Sequence, residues 1–163
     1  MLKGLLDNKT CAECRICCGF ENTDLWEMPV MNEKTARKLK ELRPDTRFTD
    51  CGGSYVTDAG ELSDNELFYC PALAHEKGCI LGEDKPFDCR IWPFRVMETG
   101  DKRFRMITVS PVCPEIFDRP LSQLSEFVKE KLENTVFDYA EKNPEIVKKY
   151  IKGYPILAIR KQK

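Results

Sequence analysis

The sequence predicts an α+β fold, in which a small, irregular, cysteine-rich domain with two β-hairpins is closed by C-terminal helices. Three observations lead to this prediction. All nine cysteines of the 163-residue chain lie at or before position 113. β-prone segments flanked by turn residues occur in the same region, and apolar residues recur every three or four positions after Pro120. The length suits one domain, so we predict a single domain over 1–163, with a cysteine-rich body (8–118) and a helical extension (119–163).

The first predicted helix runs from Glu33 to Leu42. Asn32 precedes it and is a favourable N-cap, because its side chain can accept a hydrogen bond from a free N–H of the first turn. Pro44 lies just beyond the end and stops the helix. The apolar residues on one side of this helix are Ala36, Leu39 and Leu42.

Two hairpins are predicted in the body. The first lies between Arg47 and Tyr69, where the β-prone pieces 47–49 and 54–57 are surrounded by turn residues. The second joins 92–98 to 103–109 through a turn that contains Gly100.

In the C-terminal third of the chain, the sequence predicts two helices and a strand. The first is an amphipathic helix of about five turns that stops at Asn143-Pro144, since its apolar residues step by three or four. A shorter helix from Glu145 to Lys152 should end at Gly153, and 154–159 is apolar enough to pack as a strand. The stepping residues are Leu121, Leu124, Val128, Leu132, Val136 and Tyr139.

Charge and hydropathy narrow the classes of partner. Lysine and arginine (26) nearly balance aspartate and glutamate (27), for a formal charge of -1, so no nucleic acid partner is implied. The apolar stretch at the N-terminus is too short for a signal peptide, and no segment approaches the roughly 20 apolar residues of a membrane helix. We therefore expect a cytoplasmic protein that does not enter a membrane.

The cysteines favour a metal site over disulfides. Thiols stay reduced in the cytoplasm, where a dense cluster is more often a metal site than a disulfide framework. The total is odd, and the chain is longer than most disulfide-stapled scaffolds. The fold prediction is therefore that of a metal-binding domain.

The densest motif is CxxCxxCC, Cys11 to Cys18. A CxxC turn can present two thiolates to one zinc ion, and x₂, x₂ spacing is also that of ferredoxin-type iron–sulfur clusters. Cys17 and Cys18 are adjacent and their side chains should diverge, so we expect one of them to serve a second site or a supporting role. The iron–sulfur cluster is favoured over zinc because the thiols outnumber the four that one zinc ion needs.

Four later cysteines each lie beside or within three residues of proline or glycine, which favours turns that expose N–H groups to a sulfur. They are Cys70 (before Pro71), Cys79 (after Gly78), Cys89 (in KPFDCRIWPF) and Cys113 (before Pro114).

In this order the motifs resemble the CxxCxxCC zinc- or iron-chelating family, the YkgJ-like cysteine-cluster proteins. The resemblance covers about two thirds of the chain, with small departures at Lys85 and Gly82, where the family commonly has Arg and an aromatic residue. It implies a cysteine-ligated zinc or iron–sulfur site built from Cys11, Cys14, Cys17, Cys18, Cys70, Cys79, Cys89 and Cys113.

Several residues near the motifs have two interpretations. Cys51 falls outside the pattern and is interpreted as an ordinary free cysteine rather than a ligand. His75, the only histidine, is a candidate ligand, but its first expected role is that of a surface residue in a loop. Arg15 and Arg90 can offset thiolate charge or be solvated. Trp92-Pro93-Phe94 can shield a cluster, but its first expected role is in the core of the second hairpin.

Three functions follow as hypotheses. The first is a metal-binding module with an electron-transfer or redox role, and the second is a structural zinc scaffold that displays its helices to a protein partner. The third is a component of a lysine N-methylation system, which rests only on the similarity of the cysteine cluster to that of flagellin lysine N-methylase. No phosphate loop, catalytic triad or HExxH motif occurs, so whether the protein is an enzyme stays open.

Overall fold

The computed structural model describes residues 1–6, 8–74 and 77–162. It confirms the α+β fold, with several small sheets and helices near the C-terminus. The chain forms two compact units: residues 2–90, called here the thiol unit, and residues 91–163 together with Met1, called the sheet unit. Compactness does not measure whether a unit folds independently. The single domain over 1–163, with its body ending at residue 118, therefore stays a prediction.

The thiol unit contains short elements joined by turns. Its helices and strands are α1 (Asn8–Cys14), β1 (Gly19–Phe20), β2 (Met31–Asn32), α2 (Glu33–Leu42), β3 (Phe48–Asp50), β4 (Ser54–Thr57), β5 (Phe68–Tyr69), β6 (Leu73–Ala74), β7 (Gly78–Cys79) and α3 (Phe87–Ile91). Turns of 3₁₀ helix lie at Ile16–Cys18, Leu25–Glu27 and Gly82–Asp84.

Helix α2 has the predicted bounds and the predicted cap. The Asn32 side chain accepts a hydrogen bond from the Thr35 N–H at 2.9 Å, which satisfies one donor of the first turn. Ala36 and Leu39 are buried, as expected, but Leu42 is 38% exposed because it lies in the last turn. The core of this unit consists of Met31, Ala36, Leu39, Ala72 and Leu81, with Cys70 and Cys79 packed against it.

The first predicted hairpin is confirmed as β3–β4, and β2 adds a third antiparallel strand in the order β2-β4-β3. The turn between the hairpin strands passes through Gly52 and Gly53, both at positive φ, where glycine avoids steric strain. The Asp50 carboxylate accepts the N–H groups of both glycines.

The sheet unit contains a four-stranded sheet and one long interrupted helix. Its strands are β8 (Phe94–Glu98), β9 (Phe104–Val109), β10 (Lys148–Lys149) and β11 (Ile156–Lys161), and its helices are α4 (Pro114–Phe117), α5 (Leu121–Phe127) and α6 (Glu133–Lys142), with a π-helical turn at Val128–Leu132.

The β8–β9 hairpin confirms the second predicted hairpin. The sheet order is β10-β8-β9-β11, and β11 pairs antiparallel with β9, which confirms the terminal strand. The helix after Pro120 also ends as predicted, at Asn143. Its residues Val136, Phe137 and Ala140 are buried on the sheet side, because α6 packs on β8 and β9.

The predicted helix from Glu145 to Lys152 is wrong. Only Pro144–Ile146 is helical, as one 3₁₀ turn. Lys148 and Lys149 form β10, which runs parallel to β8, and the Tyr150 N–H donates to the Glu98 carbonyl at 2.9 Å. Pairing with the edge of an existing sheet satisfies more backbone groups than a short isolated helix can. None of the helices in the described part of the chain is long and apolar enough to cross a membrane.

Candidate metal centre

The first two cysteines lie on a helix, whereas the sequence suggested a tight turn. Cys11 and Cys14 are three residues apart on α1, so they lie on neighbouring positions of one helix side. Helix α1 packs on β7 at Gly78, where a Cβ atom would lie 3.1 Å from the Cβ of Ala12. The close approach of Ala12 to Gly78 holds α1 against β7, the strand that contains Cys79.

Helix α1 ends at Cys14 and is followed by a 3₁₀ turn. Arg15 has a left-handed backbone with φ 61°, a conformation that non-glycine residues seldom adopt. A 3₁₀ turn carries Cys17 and Cys18, and β1 then pairs with β5, with Gly19 opposite Tyr69. This pairing continues beyond the strands, because the Cys70 N–H donates to the Cys18 carbonyl at 2.8 Å. The N-terminal cysteine run is thereby joined to a cysteine that is distant in sequence.

Cys70 and Cys79 receive hydrogen bonds from the backbone that follows each of them. The N–H of Ala72 donates to the Cys70 sulfur, and the N–H groups of Leu81 and Gly82 donate to the Cys79 sulfur. Such donors stabilise a thiolate and are common at cysteine ligands. Sequence reasoning expected proline and glycine to fix turns in which N–H groups face a sulfur, and the donors to Cys70 and Cys79 are those of Ala72, Leu81 and Gly82.

Cys89 lies on α3, and not in the turn that its proline neighbours suggested. The helix begins directly after Pro86, a residue that suits the start of a helix. Asp88 is buried, and its carboxylate accepts the Val30 N–H at 3.1 Å. This hydrogen bond fixes α3 to the segment before β2 and so orients Cys89. Sequence reasoning did not identify Asp88.

Four thiols interact electrostatically with one another: those of Cys17, Cys70, Cys79 and Cys89, called here the thiol quartet. The pKa of Cys89 is raised well above its usual range, first by burial and then by the charges of Cys70, Asp88, Cys17 and Cys79.

Cys70 and Cys79 respond in the same way. Burial raises the pKa of Cys70 to about 11, and the charges of Cys79 and Cys17 act in the same direction. Burial also raises the pKa of Cys79, with a further contribution from Cys17. Each member of the quartet therefore interacts with the other three. Lys85, which occupies one of the positions where the motif departs from the family, lowers the pKa of Cys79.

The quartet is a set of soft donors, and Lys85 provides a positive charge near one of them, Cys79. Metal ligation requires thiolates, and mutual repulsion makes several adjacent thiolates unfavourable unless a cation lies among them. Among the described residues, no three Cys, His, Asp or Glu side chains lie in an arrangement close enough to hold a metal ion. The four thiols are nevertheless close enough to affect one another's ionisation. The donor chemistry fits zinc or an iron–sulfur cluster.

Two further predicted ligands, Cys18 and Cys113, lie outside the quartet, and so does Cys51. Cys18 is half-buried and joins Cys70 through the backbone hydrogen bond. Cys113 belongs to the sheet unit, where it is buried at the start of α4. Cys51 is exposed in the turn between β3 and β4. His75 lies outside the described residues.

The remaining candidates have local contacts. The Arg15 Nε donates to the Ala12 carbonyl at 3.3 Å, and the Arg90 guanidinium lies over the Phe87 ring at 5.5 Å from its centroid. Phe94 is fully buried and begins β8, whereas Trp92 is half-buried with the Arg95 guanidinium 4.7 Å from its ring centroid. Phe94 therefore has the core role that was first expected for this segment.

Comparisons with protein-family models, with curated proteins and with solved structures found no significant match to this chain. The similarity to the CxxCxxCC family thus rests on the motifs themselves.

Proposed function

We propose that this chain is a cysteine-ligated metal-binding protein whose centre is built on the thiol quartet and holds an iron–sulfur cluster. The observation that carries the proposal is the position of the four thiols, each close enough to the other three to affect their ionisation. They come from four separate places in the sequence. The backbone N–H groups that face Cys70 and Cys79 would stabilise the thiolate form that a metal requires.

Packing supports a shared centre. Cys70 and Cys79 lie against the hydrophobic core of the thiol unit, so their sulfurs are shielded from water on one side. A thiolate in such a place is costly unless a cation compensates it, and binding of a soft metal supplies that compensation. Metal binding and folding of this unit are therefore coupled in the proposal.

The full ligand set in the proposal is the one that the motif resemblance implies. Beyond the quartet it includes Cys11 and Cys14, which α1 holds near β7, and Cys18, which is joined to Cys70. Cys113 is the eighth member. The number of thiols favours a cluster over a single zinc ion. A cluster in turn implies an electron-transfer or redox role, and the reducing cytoplasm is the proposed location.

A structural zinc site is the second candidate. It is favoured by the size of the quartet, because four thiolates complete the tetrahedral shell of one zinc ion. In that case the metal would crosslink the β1–β5 pair, the β6–β7 pair and α3, and the protein would have no redox role.

Anaerobic purification followed by metal, sulfide and spectroscopic measurements tests the proposal. We expect iron and acid-labile sulfide, together with broad visible absorption that bleaches on reduction. If the protein is colourless and contains only zinc, the iron–sulfur cluster is ruled out and the structural zinc site takes its place. A protein that retains neither metal, after expression with iron and zinc supplied, would contradict both.

A further inference from the structure

An exposed apolar patch lies beside the proposed centre. Leu67 and Tyr69 are 47% and 48% exposed. They are two residues apart along the β5 segment, so their side chains lie on the same face. Opposite them is Gly19, where a Cβ atom would be 3.4 Å from the Tyr69 ring and 4.0 Å from the Leu67 side chain. The two side chains therefore both lie near Gly19 of β1, and about half of the surface of each is exposed to solvent.

The patch is continuous with the cysteine backbone. Cys18 directly precedes Gly19, and Cys70 directly follows Tyr69. The hydrogen bond between the Cys70 N–H and the Cys18 carbonyl closes the same two-stranded pair. A molecule bound on the patch would therefore lie next to two of the proposed ligands.

Two loops at one end of the patch contain five carboxylate residues, called here the rim. The loops 21–24 and 61–66 continue directly from β1 and into the β5 segment, and Asn22 joins them through a hydrogen bond to the Leu62 carbonyl at 2.7 Å. Neither loop contains lysine or arginine. Within the described part of the thiol unit, the rim carboxylates form no ion pair with a basic side chain. The five rim residues are Glu21, Asp24, Glu61, Asp64 and Glu66.

We propose that this surface, an apolar centre with an acidic rim, is the docking site for a protein partner whose contact face has an apolar centre surrounded by lysine and arginine. The inference rests on the proposed function, because the docking site is useful where it adjoins a metal centre. The charges select the class of partner. Nucleic acids and anionic membranes carry the same sign as the rim and are repelled, whereas a basic protein is attracted and oriented. The small apolar area fits a transient complex.

A basic c-type cytochrome is a suitable probe, because lysines surround its exposed haem edge. Its dissociation constant for the metal-loaded, full-length protein is measured by calorimetry at low and at physiological ionic strength. The same cytochrome with acetylated lysines keeps its fold and loses the charge. We expect acetylation to weaken binding by about tenfold or more, and added salt to weaken binding to the unmodified probe.

Matched variants locate the site. The rim variant carries Asp64→Asn and Glu66→Gln, and the second substitution keeps the acceptor for the Ser63 N–H. Its control, Glu126→Gln with Glu130→Gln, removes the same charge from exposed positions in the sheet unit. The centre variant is Leu67→Ser, and its control is Ile159→Ser, at a residue that is 55% exposed on β11.

We expect the rim and centre variants to bind the cytochrome about three- to tenfold more weakly and the controls to bind like the unmodified protein. Equal binding by all variants, or by the acetylated probe, would overturn the docking site. Metal content is measured on the same samples. If the protein contains no metal but binding still depends on the patch, the proposed function is contradicted and the docking site is supported. If the protein is fully loaded with metal but binding does not depend on the patch, the docking site is contradicted and the proposed function is supported.

Discussion

The Cys70 N–H donates a hydrogen bond to the carbonyl oxygen of Cys18, with 2.8 Å between nitrogen and oxygen. This bond extends the short β1–β5 pair by one residue at the side of the cysteines. Two strands of two residues each have little stability by themselves. A metal shared by Cys17 and Cys70 would hold the same two segments together, so the strand pair and the proposed centre should stabilise each other.

Substitution of a proposed ligand should therefore lower metal content and stability, whereas substitution of Cys51 should not. Cys70→Ser or Cys89→Ser is expected to weaken metal binding by at least about tenfold and to lower the melting temperature, because a ligand and its long-range link are lost. Cys14→Ser should act in the same direction. Elemental analysis and thermal unfolding measure both effects.

Cys51→Ser is the control, since this thiol is exposed on the β3–β4 turn. It should leave metal content and melting temperature nearly unchanged. If it lost as much metal as Cys70→Ser, the assignment of ligands would be wrong.

The metal-free protein should lose stability at alkaline pH. In the unfolded chain, Cys70 ionises near its ordinary pKa of 9.0, whereas burial in the folded protein raises the pKa to about 11. Between these values the unfolded chain binds fewer protons than the folded one, so the free energy of unfolding falls as pH rises. The stability from the buried neutral thiol is fully present below about pH 9. Urea unfolding of the reduced, metal-free protein at pH 8 to 11 measures this slope, and Cys70→Ser should reduce it.

Gly78→Ala should disturb the contact between α1 and β7. Gly78 has φ +75°, and a Cβ atom there would come within 3.1 Å of the Ala12 Cβ and 3.4 Å of its Cα. The positive φ costs about 1–2 kcal/mol for an L-residue, and the crowding adds about 1–3 kcal/mol. Chemical denaturation measures the total.

Gly52→Ala is the matched control for this change. Gly52 also has a positive φ (+79°), but nothing lies within 4 Å of its Cβ position. The difference between the two variants therefore isolates packing of α1. Equal destabilisation would mean that α1 does not depend on this contact.

Asp88→Ala should destabilise the thiol unit by about 1–3 kcal/mol, because it removes the acceptor of the Val30 N–H in a buried place. Asp88→Asn can still accept this hydrogen bond and should cost less. Asp84→Ala is the control, since the Asp84 ion pair with Lys34 (3.0 Å) is largely exposed and such pairs contribute about 0–1 kcal/mol. Thermal unfolding ranks the three variants, and a ranking with Asp84→Ala as the most harmful would contradict this role of Asp88.

Local signals were sufficient for several elements. Asn32 followed by a helical pattern predicted α2 with its correct bounds, since an N-cap acts within one turn. The Thr99–Lys102 turn between β-prone arms predicted the β8–β9 hairpin for the same reason. Local patterns did not predict β10. The apolar residues of Glu145–Lys152 have the spacing of a helix, whereas the strand exists only through pairing with β8.

The sequence by itself determined the fold class, the capped helix and hairpins, and the supply of thiols with the types of metal they suit. Only the tertiary structure decided which thiols meet. Cys17 joins Cys70, Cys79 and Cys89 because β1 pairs with β5, β6 pairs with β7, and Asp88 fixes α3. Each of these contacts is made between residues distant in the chain, and spacing along a sequence carries no information on such distances.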